Sequence, residues 1–298
     1  MTLPSMGAIR FGPARVPSRE SPVAAVDLLV ERAYAACEVD FESGFWMNWS
    51  YADELGALSR ERDIRLSVHA PIPAFLGHPE RGKKYRMAVG MLDHCAGIAV
   101  ACGAEPVVIH PGFLFGRERR DAIDAVSQQL RALRKRLEPK GRAVPFGVEV
   151  MGRARELGTL DDVLAISSQL PWVRPVLDFA HLHAVTGGGF REARAFVRVL
   201  AAADAVMGPA IPFHIHFSDI SFANFNEKAH VPYGQGTLRA EPLADALAHF
   251  DRPGTVIGES PDETSNQAIQ TLLRARQAGA PSSAASPTAP NSGLRAVT

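Results

Sequence analysis

Cysteine is scarce in this chain, with three among 298 residues. Cys37, Cys95 and Cys102 form no C-x-x-C pair, and an odd number does not close a disulfide framework, so the expected compartment is a reducing one. Cys95 and Cys102 fall on one face of a segment with helical period and are expected to be buried thiols. An excess of charge of one sign is missing too. The 32 Lys and Arg balance 32 Asp and Glu, so no global field draws the protein to a polyanion, and any such contact must come from a local patch or from bound cations. Nowhere do about eighteen apolar residues run together, and Met1–Val16 has no apolar signal segment, so the expectation is a cytoplasmic protein with no membrane contact, acting as a monomer. A glycine-rich phosphate loop is also lacking. The turn after the first apolar run reads Gly12-Pro13-Ala14-Arg15, which argues against an open doubly wound sheet that cradles a nucleotide.

What is present is a regular alternation. Short apolar runs suited to strands buried on both faces are expected at 8–11, 36–41, 65–69, 106–110, 145–149, 173–178, 212–217 and 254–259. Segments of helical period follow at 23–35, 52–62, 83–102, 119–137, 160–169, 191–207, 240–250 and 263–277. Eight β/α units joined by short connections predict an α/β fold whose parallel sheet closes, a (β/α)8 TIM barrel over residues 1–277. From 278 to 298 the composition turns to Ala, Pro and Ser, and this tail is expected to be disordered. Gly187-Gly188-Gly189 reads as a barrel loop.

Six of the eight runs end on a potential metal ligand: His69, His110, Glu149, Asp178, His216 and Glu259. Parallel strands bring their C-terminal ends to one rim, so these side chains are expected to converge there. Any one of them could be a polar residue satisfied by water at the rim, but six at equivalent positions point to a shared site. Three imidazoles with three carboxylates suit zinc (Zn2+) first and manganese (Mn2+) or ferrous iron next, because calcium and magnesium prefer oxygen alone. Six ligands exceed what one tetrahedral zinc takes while keeping an open position, so two ions bridged by a carboxylate fit better.

The motifs Ser67-Val68-His69-Ala70-Pro71, Val108-Ile109-His110-Pro111-Gly112, Val148-Glu149, Leu177-Asp178-Phe179-Ala180-His181, His214-Ile215-His216-Phe217-Ser218-Asp219, His230 ahead of Gly234-Gln235-Gly236, and Gly258-Glu259-Ser260 run in the same order as those of the endonuclease IV family. The chain resembles that family over most of its length. The resemblance implies a xylose isomerase-like barrel with a trinuclear zinc site that hydrolyses DNA 5′ to abasic sites through a metal-bound hydroxide. It implies that His69 and His110 hold one ion, that Glu149 bridges to a second held by Asp178, His216 and Glu259, and that His181 and His230 serve a third. Glu149 would hold and orient the nucleophile as the catalytic residue.

Two positions depart from the family pattern. Lys228 stands where an aspartate would complete the third ion's ligands, and a protonated lysine cannot ligate. Either Glu227 serves after a shift of one residue, or Lys228 meets a substrate phosphate; two tightly held ions and a weak or absent third are expected. Ile72 replaces a tyrosine that would touch DNA, leaving Phe75, Tyr85, Phe113 and Phe115 as substitutes, although packing is the plainer role for each. Arg15 is a candidate phosphate contact, as are Arg19, Arg117, Arg119 and Arg120. His214 is expected one layer below His216, His183 either orients His181 or is a plain loop histidine, and His78, His94 and His249 lack convergent partners. Two other functions stay open: a sugar isomerase or epimerase using one divalent ion, and a metal-dependent binder of phosphate or DNA that does not cleave.

Overall fold

A computed structural model describes residues 9–153 and 156–279. Eight parallel strands form one sheet: β1 (Ile9–Pro13), β2 (Ala36–Asp40), β3 (Arg65–His69), β4 (Val107–Ile109), β5 (Phe146–Glu149), β6 (Val173–Asp178), β7 (Phe213–Phe217) and, last in the ring, β10 (Gly254–Gly258). Each pairs with its neighbour in the order β1-β10-β7-β6-β5-β4-β3-β2. The ring closes where β1 meets β2. There Ala35 donates its N–H to the Phe11 carbonyl at 2.9 Å, and a Cβ on Gly12 would lie 1.6 Å from the Ala36 carbonyl oxygen, so only glycine permits the approach. The expected (β/α)8 TIM barrel is what the chain forms.

Helices α1 (Pro22–Glu31), α2 (Trp49–Glu61), α3 (Lys83–Cys102), α4 (Arg119–Leu137), α5 (Leu160–Gln169), α7 (Ala193–Val206), α8 (Ala240–Leu247) and α9 (Glu263–Gly279) surround the strands. The strands are buried almost throughout, as their continuous apolar runs require, and the three cysteines are free thiols in the core. Two elements were not expected. A short helix, α6 (Phe179–Val185), starts directly on the end of β6 with Asp178 as its N-cap, and an antiparallel hairpin of β8 (Asp219–Ala223) and β9 (Asn226–Val231) stands on the end of β7. Both build up the C-terminal mouth. At the other extreme α9 runs two residues past the expected boundary at 277; Ala8 and residues 280–298 of the expected tail lie outside the described residues. No helix among the described residues is long and apolar enough to cross a membrane.

Candidate metal centre

His69 and Glu149 are the last residues of β3 and β5, Asp178 ends β6, His216 is the penultimate residue of β7, and His110 and Glu259 directly follow β4 and β10. The sheet register places Asp178 beside His216 and Ile257 beside His216, so these ends lie at one height. Glu149 is the hub. Its Oε2 lies 3.2 Å from His69 Nε2 and 3.3 Å from His110 Nε2, while its Oε1 lies 3.0 Å from His216 Nδ1. One carboxylate thus faces two ligand sets, one oxygen to each. His216 Nδ1 is also 3.2 Å from Glu259 Oε1. The donor atoms of His69, His110 and Glu149 converge within 4.8 Å of one another, and so do those of Glu149, Asp178, His216 and Glu259.

A third set, Asp178, His181 and His230, converges equally closely. Helix α6 builds it: the His181 backbone N–H donates to Asp178 Oδ1 at 2.7 Å, and the ring Nδ1 is held 2.8 Å from the Val150 carbonyl, which turns Nε2 toward the mouth. That Nε2 lies 2.8 Å from Glu227 Oε2. The hairpin explains how Glu227 arrives there. Ile220 pairs with His230 and Ser221 with Ala229, but Phe222 pairs with Glu227, so Lys228 is the extra residue of a β-bulge. In a regular strand residue 228 would share a face with His230; the bulge changes the parity and hands that face to Glu227. Lys228 stands exposed. Gly152 leaves the room, since a Cβ there would lie 2.2 Å from Glu227 Oε2.

The electrostatics describe a site built around positive charge. Burial opposes ionisation of Glu149, yet the His216 charge and the hydrogen bonds of His110, His216 and His69 hold its carboxyl well below the usual carboxylate range. Burial likewise disfavours a charged His69, but its contact with Glu149 outweighs this and the imidazole is pushed up to about 10. Burial pushes the Asp178 carboxyl well above its ordinary value. Asp178 Oδ2 and Glu227 Oε2 are buried and face His181 nitrogens at 3.2 and 2.8 Å, yet neither accepts a well-aligned hydrogen bond among the described residues, which leaves both oxygens free to ligate.

Beside the ring opens a cavity of about 520 Å³ whose lining includes Arg15, Asp40, Glu42, His69, His230 and Glu259. Arg15 lies 3.5 Å from Asp40 and is largely exposed. Phe113 and Phe115, in the loop after His110, stand half-exposed around Phe75, and Ile72 is exposed on the loop after β3. His183 is turned away, 2.8 Å from the Thr237 hydroxyl. Glu38 was not among the expected residues, although the structure places it directly beneath the ring. The signal was the alternation Cys37-Glu38-Val39-Asp40-Phe41, which puts both carboxylates on the inward face; attention to strand ends alone passes over it, since this run ends on Phe41.

Comparison with known proteins agrees with this architecture. The model of the xylose isomerase-like TIM barrel family matches residues 26–279. The chain belongs to that family. An uncharacterised protein of Methanocaldococcus jannaschii is 29% identical over 254 residues, covering 84% of this chain and 91% of its own. A probable endonuclease 4 of Solibacter usitatus is 31% identical over 165 residues, 51% of this chain and 54% of its own. Among solved structures, the barrel superposes on endonuclease IV from Thermus thermophilus with a TM-score of 0.69 and 19% identity, covering 91% of this chain and 100% of that one. It superposes on a D-tagatose 3-epimerase-like protein with a TM-score of 0.71 and 16% identity, covering 90% and 97%. At these identities the two structures establish the fold.

Proposed function

We propose that this barrel is a metal-dependent phosphodiesterase of the endonuclease IV kind, hydrolysing DNA 5′ to abasic sites with zinc as its preferred ion. The observation that carries the reading is the sharing of Glu149 between two ligand sets, with a third set alongside. Proton transfer beside a sugar carbonyl needs one ion and one such set, whereas displacement at phosphorus gains from several charges around the attacking and leaving oxygens. The residues fit cations: nitrogen and carboxylate donors are mixed, and two buried carboxylate oxygens lack well-aligned hydrogen bonds. His69 and His110 would hold one ion with Glu149; Glu149, Asp178, His216 and Glu259 a second; His181, Glu227 and His230 a third. Bound there, the ions would polarise the phosphate and favour ionisation of the attacking water near neutral pH.

The chain's own groups supply the rest. Glu149 remains a carboxylate and can accept the hydrogen bond that orients the attacking water. Arg15 and Lys228, exposed at the rim, can contact flanking phosphates, and Phe113 and Phe115 present aromatic faces to an unstacked base or sugar. A second reading, sugar epimerisation, is favoured by the acidic cavity beside the ring. The test uses the metal-loaded full chain on a duplex bearing one abasic-site analogue, beside a ketose epimerisation screen. Incision is expected, falling roughly a hundredfold or more in Glu149→Gln. Turnover of a ketose without incision would establish the second reading, and tight binding of abasic DNA without incision a non-cleaving binder.

A further inference from the structure

Beneath the ligand ring lies a buried polar cluster, Glu38 and His214 below His216, whose donor atoms also converge within 4.8 Å of one another. Glu38 of β2 is completely shielded from solvent. A carboxylate in so dry a place costs several kcal/mol by desolvation unless its oxygens are partnered. Its Oε2 accepts a hydrogen bond from Ser67 Oγ at 2.7 Å and lies 3.1 Å from His214 Nε2. Register pairs Glu38 with Ser67 on β3, and His214 precedes His216 by two residues on β7, so both partners come from inward positions of the barrel wall.

The other oxygen, Oε1, has a different neighbour. It lies 3.1 Å from His216 Nε2 without a well-aligned hydrogen bond among the described residues, while His216 Nδ1 faces Glu149 and Glu259 at 3.0 and 3.2 Å. The two nitrogens of this ring are thus divided between the mouth and the layer below. A carboxylate behind a ligating imidazole fixes its tautomer and ring angle and raises its basicity.

We propose that Glu38, held in place by Ser67 and His214, is a positioning residue whose charge beneath His216 favours a proton on Nε2 and so leaves Nδ1 for the cation shared by Glu149, Asp178 and Glu259. The proposal rests on the metal-centre reading above. In this role Glu38 acts through His216.

The test compares zinc affinity of the full chain, by chelator competition, in the parent and in Glu38→Gln, which preserves volume and removes the charge. Affinity is expected to fall about 10- to 100-fold, and the visible spectrum of the cobalt-loaded protein to change, while the metal-free variant melts no lower than the parent. A lower melting midpoint with unchanged affinity and spectrum would mean that Glu38 only supports the core, and would overturn the proposal. In a His216→Ala background the same substitution is expected to leave residual affinity unchanged; an undiminished effect there would also overturn it. Should Glu38→Gln fail to fold, long-range proton–nitrogen correlation on the zinc-loaded parent decides: His216 is expected to carry its proton on Nε2, and a proton on Nδ1 refutes the assignment. A parent that binds no divalent ion removes the metal-centre reading together with this one. A parent that binds ions tightly, with Glu38→Gln its equal in affinity and spectrum, removes only this one.

Discussion

At position 228 a lysine stands where the endonuclease IV pattern has an aspartate, and from that spacing alone the third ligand set looks broken. The bulge in β9 changes that reading, because it brings Glu227 to within 2.8 Å of His181 Nε2 and leaves Lys228 exposed. A bulge is invisible in a hydrophobic pattern: Asn226-Glu227-Lys228-Ala229-His230 has no apolar alternation from which a parity could be read. The expectation of two tight ions and a weak third therefore gives way to a proposal of three. Elemental analysis after exhaustive dialysis should find three ions per chain in the parent and in Lys228→Ala, and two in Glu227→Ala. Loss of an ion in Lys228→Ala, with none lost in Glu227→Ala, would reverse the assignment. Glu38 was hidden for a related reason: a carboxylate in the middle of a strand reads as a solvent-facing residue until barrel closure makes that face an interior.

The elements themselves were largely legible, since a parallel barrel buries its strands on both faces and leaves its helices amphipathic, two patterns that a sequence displays directly. Helices α3, α4 and α5 have the expected bounds. What escaped was short and polar, namely α6 and the β8–β9 hairpin, whose conformations depend on the rim they stand on. The entry to α5 at Gly158 and Thr159 is fixed by another local device. Thr159 and Asp162 form a reciprocal capping box, and the buried Asp162 carboxylate also accepts from the backbone N–H of Gly158 at 2.9 Å and pairs with Arg119 of α4. Asp162→Ala strands these donors and should cost about 2 kcal/mol of stability. Arg119→Ala should cost under about 1 kcal/mol, because its guanidinium is partly exposed. Chemical denaturation would measure both. Because neither residue contacts a ligand side chain, zinc affinity should stay near that of the parent; a large loss of affinity in Asp162→Ala would show that the loop, and not the strand end alone, positions Glu149.

For the whole molecule the balance of charge matters more than its total. A chain with zero formal net charge concentrates carboxylates and imidazoles at one end of its barrel, and in the metal-free state contact with Glu149 favours a proton on His69. His69 is raised to about 10 from an unfolded value near 6.5, so its contribution to the metal-free fold is fully present below about pH 6.5 and is lost as pH rises through about 10. Metal affinity moves the other way, since each ion must displace those protons. Zinc at a hundred times its dissociation constant stabilises the fold by about 2.7 kcal/mol for a single site, which corresponds to a rise of roughly 5–10 °C in melting midpoint. Scanning calorimetry with zinc and with a chelator, repeated between about pH 6.5 and 8.5, should therefore show a gap between the two midpoints that widens with pH. A gap that closes as pH rises would mean that the imidazoles at the mouth are not the ligands. A gap of constant width would mean that the imidazoles hold no proton for the ion to displace over this range.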